Sequence, residues 1–105
     1  MAFLMNQNTN NVTIYKNLFA NSRERHIRSG GGCSFEMINN VVYNFRYTCV
    51  VSAESEFSMI NNHYKEGAEP ISSSYVADYT NQSGFDPSLT RAYITGNTND
   101  AGLSE

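Results

Sequence analysis

Apolar and polar positions alternate with a period of two in three short stretches of the chain, and those stretches are copies of one another. Val12-Thr13-Ile14-Tyr15-Lys16-Asn17, Phe35-Glu36-Met37-Ile38-Asn39-Asn40 and Phe57-Ser58-Met59-Ile60-Asn61-Asn62 align at offsets of 23 and then 22 residues. In register, Val12, Phe35 and Phe57 form one apolar column and Ile14, Met37 and Met59 a second, with Thr13, Glu36 and Ser58 as a polar column between them. Such alternation marks a strand with one face buried. A second strand-like piece follows each asparagine: Leu18-Phe19, Val41-Val42-Tyr43 and His63-Tyr64. Asparagine tolerates the left-handed backbone that a sharp bend between two strands requires. A weaker fourth copy, Ala92-Tyr93-Ile94-Thr95-Gly96-Asn97, places Ile94 in the Ile14 column and Asn97 in the asparagine column.

A repeat of this length, built of short strands with no helical pattern and no leucine framework, predicts an all-β solenoid of stacked coils. We expect one partial domain over residues 1–105, with three to four coils. The coils cover about 9–66 and a last strand about 92–97. Residues 66–91, with Gly67, Pro70, Ser72-Ser73-Ser74, Gly84 and Pro87, read as a loop excursion outside the repeat. Coils stacked about 4.8 Å apart would set Asn17, Asn40 and Asn62 one above another, so that their side chains bond along the stack. Much of the excess of asparagine, 14 of 105 residues, then becomes a ladder and a set of bends. A stack that starts abruptly leaves an uncapped strand edge, through which self-association is expected.

Composition narrows the partners. Charged residues make up 16% of the chain and the net charge is −3, which excludes a supercharged tail or a coiled coil. Yet residues 1–35 hold Lys16, Arg23, Arg25 and Arg28 against the single acid Glu24. A local basic cluster in an acidic chain argues against nucleic acid, which needs a broadly basic face, and for a localised anionic ligand. No run approaches the roughly 18 apolar residues of a spanning helix, so no membrane partner is expected. The opening Met-Ala-Phe-Leu-Met lacks the basic n-region and the length of a signal peptide. Cys33 and Cys49 can pair or stay as two buried thiols. His26 and His63 fit no metal spacing, and we read both as structural or surface residues. Glu54 and Glu56 read as a solvated turn.

Between the first two copies runs Asn21-Ser22-Arg23-Glu24-Arg25-His26-Ile27-Arg28-Ser29-Gly30-Gly31-Gly32, with three arginines and a histidine within six residues. On a strand, Arg23 and Arg25 would share one face. Arginine forks suit carboxylates, which points to an acidic ligand laid along the coils.

The segment Asn-Asn-Val-Thr-Ile-Tyr-Lys-Asn-Leu-Phe-Ala-Asn-Ser-Arg-Glu-Arg-His-Ile-Arg, followed by Ile-Asn-Asn-Val-Val-Tyr-Asn-Phe and Asn-Asn-His-Tyr-Lys-Glu-Gly, resembles the pectate lyases of polysaccharide lyase family 1. The resemblance runs from about residue 9 to 66 and again from Tyr93 to Asn97. It implies a right-handed parallel β-helix that cleaves polygalacturonate by β-elimination with Ca²⁺, in a family of secreted enzymes. Arg25 matches the catalytic arginine of the family's Arg-x-Pro motif, which takes the proton from C5 of galacturonate. Arg28 matches a neighbouring arginine that holds substrate carboxylate, and Arg23 is a further candidate for substrate binding. Three positions depart from the pattern. Ile27 replaces the motif's proline, Gly30 stands where many members carry a further arginine, and Lys16 stands where a histidine is usual. An arginine, charged up to a pKa above about 12, is a poor base. Either the local field depresses Arg25, or it stabilises the developing enolate instead. The family's Ca²⁺ ligands come from coils before this segment, and none is expected in this chain. The chain is therefore expected to be the C-terminal part of a longer lyase, with little or no activity alone. The alternative is a non-catalytic coil stack that binds acidic polysaccharide or serves as a structural or adhesion repeat.

Overall fold

The structure is a computed structural model, and it describes residues 2–105. The fold is all-β. Twelve strands follow one another: β1 (Leu4–Met5), β2 (Val12–Tyr15), β3 (Leu18–Ala20), β4 (Ile27–Ser29), β5 (Ser34–Ile38), β6 (Val41–Tyr43), β7 (Cys49–Ser52), β8 (Glu56–Ile60), β9 (His63–Lys65), β10 (Ala77–Thr80), β11 (Arg91–Thr95) and β12 (Thr98–Asn99). They form three four-stranded sheets in the orders β1-β4-β7-β10, β2-β5-β8-β11 and β3-β6-β9-β12, with every pairing between strands parallel. The chain visits the three sheets in turn and then repeats, so each set of three strands is one rung on the last.

The registers reproduce the sequence columns. Val12 pairs with Phe35 and Phe35 with Phe57, while Ile14 pairs with Met37, Met37 with Met59 and Met59 with Ile94. Because side chains alternate between faces, this register sends the apolar columns inward and Thr13 and Glu36 to solvent. Phe35 and Phe57 stack inside at 5.4 Å between ring centroids. Phe19, Val42 and Tyr64 form the inward column of the third sheet, and Val42 and Tyr64 are fully buried. Each such side chain contributes on the order of 1.5–3 kcal/mol by leaving water.

Two neighbouring positions share the work at the bend after the middle sheet. Lys16, Asn39, Asn61 and Gly96 take the left-handed conformation (φ 55°, 55°, 53° and 68°), which turns the chain from the middle sheet into the third. The next residue in each rung, Asn17, Asn40, Asn62 and Asn97, builds the ladder. Asn17 N–H and Nδ2 donate to Asn40 Oδ1 (2.8 and 3.3 Å). Asn40 N–H and Nδ2 donate to Asn62 Oδ1 (2.9 and 3.0 Å). Asn62 N–H and Nδ2 both donate to Asn97 Oδ1 at 2.9 Å. The second Nδ2 hydrogen of Asn40, Asn62 and Asn97 goes to the carbonyl of Ile14, Met37 and Met59 respectively. At the far end Glu105 Oε1 accepts from Asn97 N–H (2.7 Å) and so stands where another asparagine oxygen would be. A second, shorter pair follows the third sheet, where Asn21 and Asn44 are left-handed and Asn44 Nδ2 donates to Asn21 Oδ1.

Two expectations change. Residues 66–91 are not simply an excursion: they contain β10, which pairs with β7 from Ala77↔Cys49 to Thr80↔Ser52, and a 3₁₀ turn at Pro87–Leu89. Ala77-Asp78-Tyr79-Thr80 alternates, with Ala77 and Tyr79 in register with the buried Cys49 and Val51, but it matches none of the repeat columns. The first sheet as a whole (β1, β4, β7, β10) had no repeat signature, since its inward positions mix Ile27, Ser29, Cys49 and Val51. Glu56 opens strand β8 and is not part of a turn, whereas Glu54 does sit in a left-handed bend (φ 65°). Cys33 and Cys49 are free and buried. Burial pushes the Cys49 thiol far up, with Asp78 adding to the effect.

Replacing Asn62 by alanine strands the buried N–H of Asn40 and the carbonyl of Met37, and is expected to cost about 2–3 kcal/mol. Asn17→Ala removes one amide at the exposed end of the ladder, leaves the Asn17 N–H bond to Asn40 in place, and is expected to cost below about 1 kcal/mol. Urea unfolding of the two variants compares them; equal losses would show that the ladder does not carry the stability assigned to it.

Candidate functional site

The arginine cluster begins in the bend between β3 and β4. Asn21 turns the chain out of the third sheet (φ 62°), and residues 22–26 cross to the first sheet without strand structure. Arg23 and Arg25 therefore do not share a strand face, which corrects the expectation drawn from period-two spacing. Arg23 Nε donates to Glu69 Oε1 (2.9 Å) on the surface. Arg25 Nη1 lies 3.8 Å from Glu24 Oε2, a loose pair with both side chains about half exposed. Exposed pairs of this kind contribute little.

His26 marks where the bend enters the core. It is 1% exposed, lies edge-on between Phe19 and Phe45, and its Nδ1 is 2.8 Å from Tyr47 O. That carbonyl can only accept, so Nδ1 carries a hydrogen. Nε2 is left buried with no partner. Burial holds the imidazole pKa below its ordinary value, opposed in part by the Tyr47 hydrogen bond. His26 is thus packed into the core, and it anchors the chain next to Arg25. Ile27, in place of the motif's proline, is completely buried and fills the first sheet's inner face.

Ile27 and Ser29 point inward, so alternation sends Arg28 outward from the middle of β4. Its Nη1 donates to Ser52 Oγ (3.1 Å), and no carboxylate pairs with it among the described residues. Arg28 lines a groove of about 520 Å³ together with Leu4, Asn6, Gln7, Gly30 and Gln82, a size within the usual 300–1,000 Å³ of ligand clefts. One unpaired guanidinium among primary amides suits a ligand that carries a carboxylate and hydroxyls. Neither Arg23 nor Arg25 lines this groove.

The three glycines after β4 have a specific use. Gly31 N–H donates to Gln82 Oε1 (2.7 Å), and the Phe85 ring lies so close over Gly31 that a Cβ there would come within 2.5 Å of it. The glycines thus seat residues 82–85 against the groove. Gln82 and Gln7 have no motif in the sequence that could single them out. They reach the groove only because β10 and β1 flank the pair β4–β7.

A second groove, of about 410 Å³, lies on the outer face of the middle sheet, where Thr13, Glu36, Glu56 and Ser58 line it. Calcium requires about 6–8 oxygen ligands. No group of three or more His, Cys, Asp or Glu side chains is placed to hold a metal among the described residues, and the Arg28 groove has no carboxylate. The described residues thus offer no acidic grouping for calcium, whose ligands the family resemblance places in coils before this segment. Comparison with protein-family models, curated proteins and solved structures found no match to this chain.

His26 generates a pH dependence. The folded state holds it neutral, while the unfolded chain takes up a proton near pH 6.5, so the unfolded state binds more protons below that value. Its contribution is expected to be complete above about pH 6.5 and lost as the pH falls towards the depressed folded-state value. The urea midpoint should fall between pH 7.5 and 5.5, and His26→Gln should flatten that dependence at lower overall stability. An unchanged slope in the variant would assign the titration to another group.

Proposed function

We propose that the chain is a right-handed parallel β-helix from a lyase that resembles the pectate lyases, and that it binds acidic polysaccharide along the outer face of its first sheet. The observation that carries this reading is Arg28: a guanidinium without a carboxylate partner, projecting into a groove of amide side chains. A polyuronate such as polygalacturonate offers the complementary chemistry, a carboxylate on every unit and hydroxyls beside it. Arg28 binds the carboxylate, while Arg23 and Arg25 lie in the adjoining bend, each beside a glutamate that offsets its charge. Positive charge near a uronate carboxylate favours loss of the C5 proton, because the negative charge that develops is delocalised onto that carboxylate. In the lyase reading Arg25 takes that proton or stabilises the enolate. Catalysis in the pectate lyases uses Ca²⁺, for which the described residues supply no acidic grouping.

A second reading, a non-catalytic stack that binds acidic polysaccharide, is favoured by one observation. Arg25 lies beside Glu24 and does not line the groove that holds Arg28. The two readings share the ligand and differ in turnover.

Isothermal titration with pentagalacturonate tests the binding. Arg28→Gln is expected to weaken it about tenfold, as for the loss of one charge-assisted contact. Arg46→Gln, at a site bonded to Ser72, should leave it unchanged. Equal affinity in the Arg28 variant would remove the groove from the reading. Ultraviolet absorbance of the unsaturated product, followed with polygalacturonate and Ca²⁺, is expected to show little or no turnover by these 105 residues. Robust turnover lost in Arg25→Ala would establish the lyase and overturn the account of the missing calcium ligands.

A further inference from the structure

We infer that Gln82 is a specificity-determining residue of the Arg28 groove, an amide donor clamped in place to read the oxygens of a uronate whose carboxylate Arg28 binds. The inference rests on the binding role proposed above and adds a residue that neither the repeat nor the arginine cluster contains.

The residue is held from several directions. Before it, β10 is fixed to β7 through four registered residues ending at Thr80↔Ser52. After it, Phe85 packs against Gly31, where any side chain would displace the ring. Asp86 N–H donates to Glu54 Oε1 (3.0 Å), and the Asp86 carboxylate caps the following 3₁₀ turn by accepting from Ser88 N–H and Oγ. Between these anchors the Gln82 side chain is itself oriented. Gly31 N–H can only donate, so the atom 2.7 Å from it is the carbonyl Oε1, and the NH₂ group lies at the other end. That nitrogen has no partner among the described residues, and Gln82 lines the same groove as Arg28. A side chain with one polar end fixed and the other free loses little further rotamer freedom on binding, which is the condition for a selective contact.

Acceptors are what a free NH₂ and a guanidinium recognise together. A uronate presents carboxylate oxygens and hydroxyl or ring oxygens within one unit. A neutral hexose lacks the carboxylate, and an esterified uronate lacks its charge. The groove therefore favours free polyuronate over its methyl ester and over neutral glycan.

Gln82→Glu isolates the effect. One carboxylate oxygen can still accept from Gly31 N–H, while the donor is replaced by a second oxygen that repels the ligand's carboxylate. Titration of the full chain with pentagalacturonate, its methyl ester and neutral galactopentaose reads the outcome. For Gln82→Glu we expect at least a tenfold loss of pentagalacturonate affinity at unchanged melting temperature, and for Gln82→Ala a smaller loss. Phe85→Leu, which loosens the seat but keeps the amide, should lie between wild type and Gln82→Ala. Wild-type affinity in both Gln82 variants overturns the inference and leaves the Arg28 reading standing. Absence of pentagalacturonate binding by the wild-type chain overturns that reading and this inference with it.

Discussion

Parallel strands stacked in register bring the same position of every rung into contact with itself, so each rung must be acceptable as its own neighbour. The asparagine ladder is where this constraint is met most completely. An asparagine side chain carries both a donor and an acceptor, so one Asn Oδ1 can receive the N–H and Nδ2 of the rung before it while its own Nδ2 reaches the rung after. A residue with only donors or only acceptors could not repeat along the stack. The left-handed residue just before each ladder asparagine turns the chain so that the amide faces inward. Together the two positions fix the register, and the register places Phe35 on Phe57 and Met37 on Met59.

The same constraint shapes the candidate site. Because the first sheet's inward positions are taken by Ile27 and Ser29, Arg28 has to face solvent. Because β1 and β10 lie at opposite edges of that sheet, amides remote in sequence meet around it. The neighbouring bend is under different control. There His26 is drawn into the aromatic core between Phe19 and Phe45 at the cost of an unpaired nitrogen, and Arg25 is left outside beside Glu24. Two arginines three positions apart thus occupy different environments, one directed into a groove and the other part of a surface pair.

Glycine carries a role that composition alone does not reveal. Gly30-Gly31-Gly32 could be read as a flexible stretch after a basic run, yet Gly31 is the seat of Phe85 and the donor that orients Gln82. The segment 66–91 departs from the repeat and returns to the groove through Gln82, held by β10 before it and by Phe85 on Gly31 after it.

The middle sheet, three strands of the third, the ladder and the register between them were legible in the chain itself, because period-two alternation and the recurrence of asparagine are local properties that stacking turns directly into contacts. Asn97 and Ile94 could be placed in their columns for the same reason. Strand β10, the burial of His26, the separation of Arg25 from the Arg28 groove and the meeting of Arg28 with Gln82 were decided only in three dimensions. Each depends on a contact between different rungs or on which face of a bend finds room in the core. No local pattern encodes such contacts, since the residues that make them repeat nothing.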